Sequence, residues 1–258
     1  MRFLALALAT LCLSTAWAAD PIVVSAASPA VGVAPDSLAT IFGDKLSTVT
    51  ESASLPWPTS LGDISVVYVV DSTSQMRMAP ISFVSPSQIN IWIPPQTAPG
   101  PATVEFPFTG LPPGVGAAAL RIVPVTIENV APGLFSVDGR VAAASAVRVV
   151  AELQSPVPVY ICDAVAKCSA VPIDVGVDTP VFLSLYGTGI RRASSLSQVV
   201  VAIGSTKVQP TYAGPQPQIP GLDQVNVPLP LTLRGSGLVN VTVAVEGVVS
   251  NAVQINIQ

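Results

Sequence analysis

The chain carries one set of motifs twice. Gln88-Ile89-Asn90-Ile91-Trp92-Ile93-Pro94 returns as Gln224-Val225-Asn226-Val227-Pro228-Leu229-Pro230. Ahead of these, Ile41-Phe42-Gly43-Asp44-Lys45-Leu46 returns as Leu185-Tyr186-Gly187-Thr188-Gly189-Ile190, and behind them come alternating apolar runs at 103–106 and 241–245. Three matches in one order predict a duplicated unit of roughly a hundred residues, the usual size of one β-sandwich. Gly43 and Gln88 are 45 positions apart, whereas Gly187 and Gln224 are 37 apart, and surface loops are where such a difference is tolerated.

Strand signals fill both copies. Residues 64–70 and 199–203 are continuous runs rich in β-branched side chains, while 88–93, 241–245 and 253–257 alternate apolar with polar. Proline- and glycine-rich clusters separate them, at 56–58, 98–101, 112–114, 215–217 and 234–237. The stretch 142–153 fits either period and is assigned to a strand. Short strands with such corners predict an all-β fold of two tandem β-sandwich domains, spanning 19–126 and 127–258. The first copy's last strand is placed at 118–123 and the boundary near 124–133. The second copy carries an extra segment over about 135–178.

The first residues have the pattern of a secretory signal. Arg2 gives a positive start, 3–13 an apolar stretch too short to span a membrane, and Ala16-Trp17-Ala18 a small-x-small cleavage site. A signal peptide over 1–18 makes the expected location secreted, periplasmic or cell-surface. Loss of Arg2 would move the formal charge from −4 to −5, the opposite of what phosphate backbones attract, so no nucleic-acid partner is expected. Prolines break the apolar runs, and no transmembrane segment is expected beyond the leader. In an exported chain Cys162 and Cys168, which flank a short polar turn between strand-like runs, are expected to form a disulfide across a hairpin tip.

The segments APDSLATIFGDKLS, PTSLGDISV, ISFVSPSQINIWIP, VAPGLFSVDG, LSLYGTGIR and GLDQVNVPLP resemble the uncharacterised secreted C-terminal domain family of Solibacter-type acidobacteria. The likeness covers nearly the whole chain after the leader. It implies that each half has the immunoglobulin-like IPT/TIG fold and that the chain is exported; it brings no activity, cofactor or catalytic residue with it.

The composition narrows the chemistry. Without a single histidine, Ser-His-Asp and Cys-His nucleophile systems and histidine-ligated metal sites are impossible. Paired carboxylates stay open as the basis of a glycoside hydrolase, but the carboxylates are scattered, mostly in turns. Asp174 and Asp178 lack the spaced acidic loop of a calcium site and are assigned to a polar strand end. Arg191-Arg192 is assigned to a solvated turn. Gly187-Thr188-Gly189 is too short to cradle phosphate, and a tight turn after a core strand is expected there and at Gly43. Gln88 and Asn90, like Gln224 and Asn226, either hydrogen-bond buried backbone at a sandwich corner or line a polar site. The repetition favours the structural role.

Aromatic side chains supply the binding candidates. If Ile89, Ile91 and Ile93 face the core, alternation turns Asn90 and Trp92 to the opposite face. Trp57 sits between prolines near the surface. Trp57, Trp92 and Tyr212 could stack on sugar rings or anchor a protein, or Trp92 could pack against the second copy or its extra segment. The expected function is therefore a non-catalytic binding or structural module that contacts proteins or cell-surface polysaccharide. A carbohydrate-binding module is the alternative and a carboxylate-dependent glycoside hydrolase the third reading. Intact mass of the exported protein checks the processing: a start at Ala19 and no alkylatable thiol before reduction are expected, and a different start or two free thiols would contradict it.

Overall fold

The computed structural model describes residues 20–30, 32–107, 120–151, 153–177 and 179–258. The leader with its cleavage site, the start of the strand expected at 118–123, and Asp178 lie outside the described residues. The N-terminal half contains β1 (Ile22–Ser25), β2 (Leu38–Phe42), β3 (Glu51–Ser52), β4 (Tyr68–Val70), β5 (Met76–Met78), β6 (Ile81–Ser85), β7 (Gln88–Trp92), β8 (Gly100–Pro107) and β9 (Leu120–Ile127). The C-terminal half contains β10 (Gly133–Leu134), β11 (Ala144–Val150), β12 (Leu153–Val157), β13 (Tyr160–Cys162), β14 (Cys168–Ala170), β15 (Pro172–Ile173) and β16 (Val181–Thr188). There follow β17 (Val199–Ile203), β18 (Thr206–Val208), β19 (Tyr212–Pro215), β20 (Asp223–Pro228), β21 (Gly237–Val245), β22 (Val248–Val249) and β23 (Val253–Ile257). Among the described residues, the only helical pieces are single 3-10 turns at Leu196–Gln198 and Leu231–Leu233, and none is long and apolar enough to cross a membrane.

The fold is all-β, built of several antiparallel sheets. In the N-terminal half the strand orders are β1-β2-β7-β6-β3 and β5-β4-β8-β9. In the C-terminal half they are β12-β11-β16-β20-β19, with β10 beside β16, and β15-β23-β21-β17-β18, with β22 beside β21. Only β15 and β23 run parallel among the paired strands. Each half encloses its own apolar core, consistent with a β-sandwich. Ile41, Ile89 and Ile91 of the first sheet pack with Val69, Val104 and Phe106 of the second; Leu185, Val225 and Val227 likewise share a core with Val201, Val243 and Ile255. Each such side chain, fully buried, contributes about 1.5–3 kcal/mol.

Strand alternation explains which residues do this. In β7 and just after it Ile89, Ile91 and Ile93 are fully buried, while Gln88, Asn90 and Trp92 occupy the other face. The shared motifs also sit in matching registers: Ile41 faces Ile89 and Thr40 faces Asn90, as Leu185 faces Val225 and Ser184 faces Asn226. The ambiguous stretch at 142–153 is indeed a strand over β11.

Three details differ from the sequence reading. First, within Gly187-Thr188-Gly189 the chain turns only from Gly189, which has φ 73° just after β16, and not at Gly187. Gly187 lies inside β16 and has no left-handed φ; a Cβ there would stand 2.5 Å from the Gly133 carbonyl oxygen, so its role is to let β10 approach. Gly43 similarly makes room for Pro21, 3.0 Å from where its Cβ would lie. Second, the segment at 135–178 is mostly framework: β11 buries Ala144 and Ala146 in the core, and β15 buries Ile173. β12 extends the edge of the same sheet as β11, and β13 and β14 form a separate two-stranded hairpin. Third, β9 continues through Pro124 to Ile127, whose side chain closes the first core, and Val130 opens the second. The β13–β14 hairpin places Cys162 opposite Cys168, and the two are joined by a disulfide.

Candidate functional site

The start of β2 and the end of β7 meet the end of β16 and the start of β20. Arg191 occupies that meeting point. Its Nε donates to Asp223 Oδ1 at 2.6 Å, its Nη1 to Asp36 Oδ2 at 2.8 Å and its Nη2 to the Leu222 carbonyl at 2.7 Å. The second oxygen of Asp36 accepts the Trp92 indole N–H at 2.8 Å. Nearby, Thr188 Oγ1 accepts the Leu38 amide at 2.8 Å and donates to the Gly221 carbonyl at 2.7 Å. One guanidinium thus links a carboxylate of each half, which a lysine's point charge could not do with the same planar fork.

Burial sets the energy scale. The side chain of Asp223 is 0% exposed, that of Arg191 10% and that of Asp36 23%. Burial pushes the Asp223 carboxyl above its ordinary pKa, opposed by the charge of Arg191 and by the Ile190 and Arg191 amides that donate to it. Burial works against the Arg191 charge as well, yet Asp223 and Asp36 outweigh it and raise its pKa. The guanidinium therefore stays charged, and Asp223 depends on it.

Backbone packing closes the same junction. Gly221 has φ +75°, the left-handed region that suits glycine, and a Cβ there would lie 2.9 Å from Leu38 Cγ and 3.0 Å from Trp92 Cδ1. Elsewhere in the contact between the halves, Asn251 Nδ2 donates to the Leu134 carbonyl at 2.9 Å and more weakly to the Ala27 carbonyl at 3.4 Å. A Cβ on Gly133 would touch Ala27 and Ser25 at 3.0 Å.

Two cavities flank this contact. One of about 360 Å³ is lined by Thr40, Trp57, Gln88 and Asn90 from the N-terminal half and by Phe135, Ile219 and Leu222 from the C-terminal half. The other, about 560 Å³, is lined by Asp36, Leu55, Pro56, Trp92 and Arg191 together with the 215–220 loop. They share Ile219. In the first, Asn90 Oδ1 accepts from Thr40 Oγ1 at 3.0 Å and from Gln88 Nε2 at 2.7 Å. Gln224 Nε2 makes the same bond to Asn226 Oδ1 at 2.8 Å. Both carboxamide pairs therefore bond side chain to side chain along the strand instead of to buried backbone, and of the two readings left open by the sequence it is the lining of a polar site that Gln88 and Asn90 meet.

The structure brings Trp57 and Trp92 to neighbouring cavities, both half-buried. Tyr212 stands apart: it is exposed, and its hydroxyl donates to the Pro215 carbonyl at 2.6 Å, bracing the loop that walls the larger cavity. Gln224 and Asn226 line neither. Asp174, 61% exposed, accepts the Gly176 amide and pairs with Arg148. Among the described residues no group of three or more acidic or cysteine side chains could hold a metal ion.

Arg191 is the residue that sequence reasoning missed, since a solvated turn was expected and a nearly buried hub is found. A signal was present in the difference between the copies. In the motif alignment Ser47 and Ser87 of the N-terminal half stand where Arg191 and Asp223 stand in the C-terminal half, so the charge pair has no counterpart at the aligned positions. The chain matches no protein-family model and no curated protein.

Replacing Arg191 by methionine should cost about 3–5 kcal/mol, because it strands a buried carboxylate. Trp92→Ala should cost about 3 kcal/mol, and Arg192→Met, in a neighbouring position without the pair, about 0.5 kcal/mol or less. Urea unfolding of the disulfide-intact proteins measures all three. An unchanged midpoint for Arg191→Met would contradict the hub.

Proposed function

We propose that this chain is an exported, non-catalytic binding or structural module that contacts proteins or cell-surface polymer outside the cytoplasm. In this reading it consists of two immunoglobulin-like sandwich domains derived from one duplicated unit. The strand orders support the duplication: β1, β2, β7 and β6 correspond to β11, β16, β20 and β19, and β5, β4, β8 and β9 to β18, β17, β21 and β23. The leader pattern and the disulfide support export. The family resemblance agrees with both.

One observation carries the non-catalytic reading. Asp36 and Asp223 converge at the junction as a hydrolase pair would, but their oxygens are already occupied. Asp223 accepts from Arg191 Nε and from the amides of Ile190 and Arg191; Asp36 accepts from Trp92 and Arg191. A general acid or nucleophile needs an oxygen free to reach substrate. These carboxylates hold the structure together, so the halves present one fixed surface. The carbohydrate-binding alternative gains from Trp57 lying beside an uncharged amide ladder.

The test uses the mature protein and isolated envelopes of the producing organism. Saturable co-sedimentation with no release of soluble sugar is the expected result. Release of reducing ends that disappears in Asp223→Asn would contradict the proposal in favour of the hydrolase.

A further inference from the structure

We infer that the 360 Å³ cleft between the halves is a binding site for a neutral saccharide ring, a step that rests on the binding-module reading and gives it a ligand class. The volume lies within the range of about 300–1,000 Å³ typical of small-molecule sites. Its lining is neutral throughout: not one Asp, Glu, Lys or Arg contributes to it. A charged sugar, a phosphate or a nucleic acid would find no counter-charge there.

What the lining does supply matches a sugar. Trp57 and Phe135 bring aromatic rings from the two halves, and the electron-rich face of such a ring attracts the C–H groups on the apolar side of a pyranose. The polar wall is the ladder Thr40–Asn90–Gln88. Its internal bonds consume Asn90 Oδ1, the Thr40 proton and a Gln88 N–H. Asn90 Nδ2 and Gln88 Oε1 make no hydrogen bond among the described residues, so a donor and an acceptor remain, two residues apart on one strand face. Adjacent ring hydroxyls, each able to donate and accept, fit that pair. Because the ladder already holds both carboxamides in place, little freedom is lost on binding.

A peptide fits less well. Peptide strands add to sheet edges, but β2 and β7 are interior strands with neighbours on both sides, so the cleft offers a face and no free backbone. The C-terminal half provides an internal control, since Gln224–Asn226 repeats the ladder outside the cleft lining.

Isothermal titration calorimetry with neutral hexasaccharides (cello-, xylo-, manno-, malto- and chito-oligomers), with oligogalacturonate as the charged control, tests the inference. At least one neutral probe should give a saturable change, weakened about tenfold or more in Trp57→Ala and in Asn90→Ala, each loss amounting to about 1.4 kcal/mol. Asn226→Ala should bind as the unaltered protein does. Trp57→Phe, which keeps an aromatic face, should recover part of the affinity and guards against misfolding of the alanine variant. No saturable binding of any neutral probe, preference for oligogalacturonate, full binding by Trp57→Ala, or equal losses in Asn90→Ala and Asn226→Ala would overturn it. If sugars fail to bind while envelope co-sedimentation persists, this inference falls and the binding-module reading stands. Catalytic release of sugar would remove the latter instead.

Discussion

A guanidinium taken almost wholly out of water has to be matched donor for acceptor, because desolvating a charge costs several kcal/mol and an unmatched one cannot be sustained. Arg191 meets that requirement with acceptors drawn from both halves: Asp223 and the Leu222 carbonyl on its own side, Asp36 on the other. The rest of the junction follows. Asp36 has φ 63° and is fixed by the Trp92 indole as well, so the turn before β2 cannot relax without losing two charge-assisted bonds. With β2 held there, Leu38 and Trp92 are close enough to Gly221 that only a glycine fits. A connection of a few residues between Ile127 and Val130 would by itself leave the two cores free to pivot. The ion pair and its surroundings oppose that freedom.

The cleft is a by-product of this clamp. On each half the Gln-x-Asn ladder lies on the outward face of an interior strand, held by the same side-chain bond. The ladder of Gln88 and Asn90 acquires a facing wall from Phe135, Ile219 and Leu222, because the halves are docked on that side, whereas Gln224 and Asn226 do not line this cleft. Two similar motifs therefore come to differ through their surroundings. The charge pair Arg191–Asp223, at whose aligned positions the N-terminal half has Ser47 and Ser87, lies at the docked junction beside that cleft.

Much of the fold was legible because period-2 alternation is a strong physical signal. Alternation alone assigns Ile89, Ile91 and Ile93 to the core and Trp92 to the other face, and two cysteines of an exported chain that flank a short turn point to the Cys162–Cys168 bridge. The hub was not legible for a different reason. Arg191 and Asp36 are 155 positions apart, and nothing local distinguishes an arginine that will be buried by a partner from one that will be solvated. The glycines misled similarly: Gly187 reads as a turn residue next to Thr188-Gly189, yet what requires it is a carbonyl from β10, a neighbour that sequence order does not reveal. The extent of the extra segment was overestimated because β11 and β15 have no obvious sequence match in the first copy, although they take regular places in the sheets.

The central claim is that Arg191 fixes the two halves as a single body. Pulsed electron-electron double resonance on the protein without its leader, which carries Cys12, between nitroxides at Gln75→Cys and Lys207→Cys reads it most directly, since both positions are exposed, they lie on different halves, and Cys162 and Cys168 are bonded to each other. A single narrow distance distribution is expected in the otherwise unaltered protein, broadening when Arg191→Met is added. A broad distribution with Arg191 in place, or one that Arg191→Met leaves unchanged, would contradict the account.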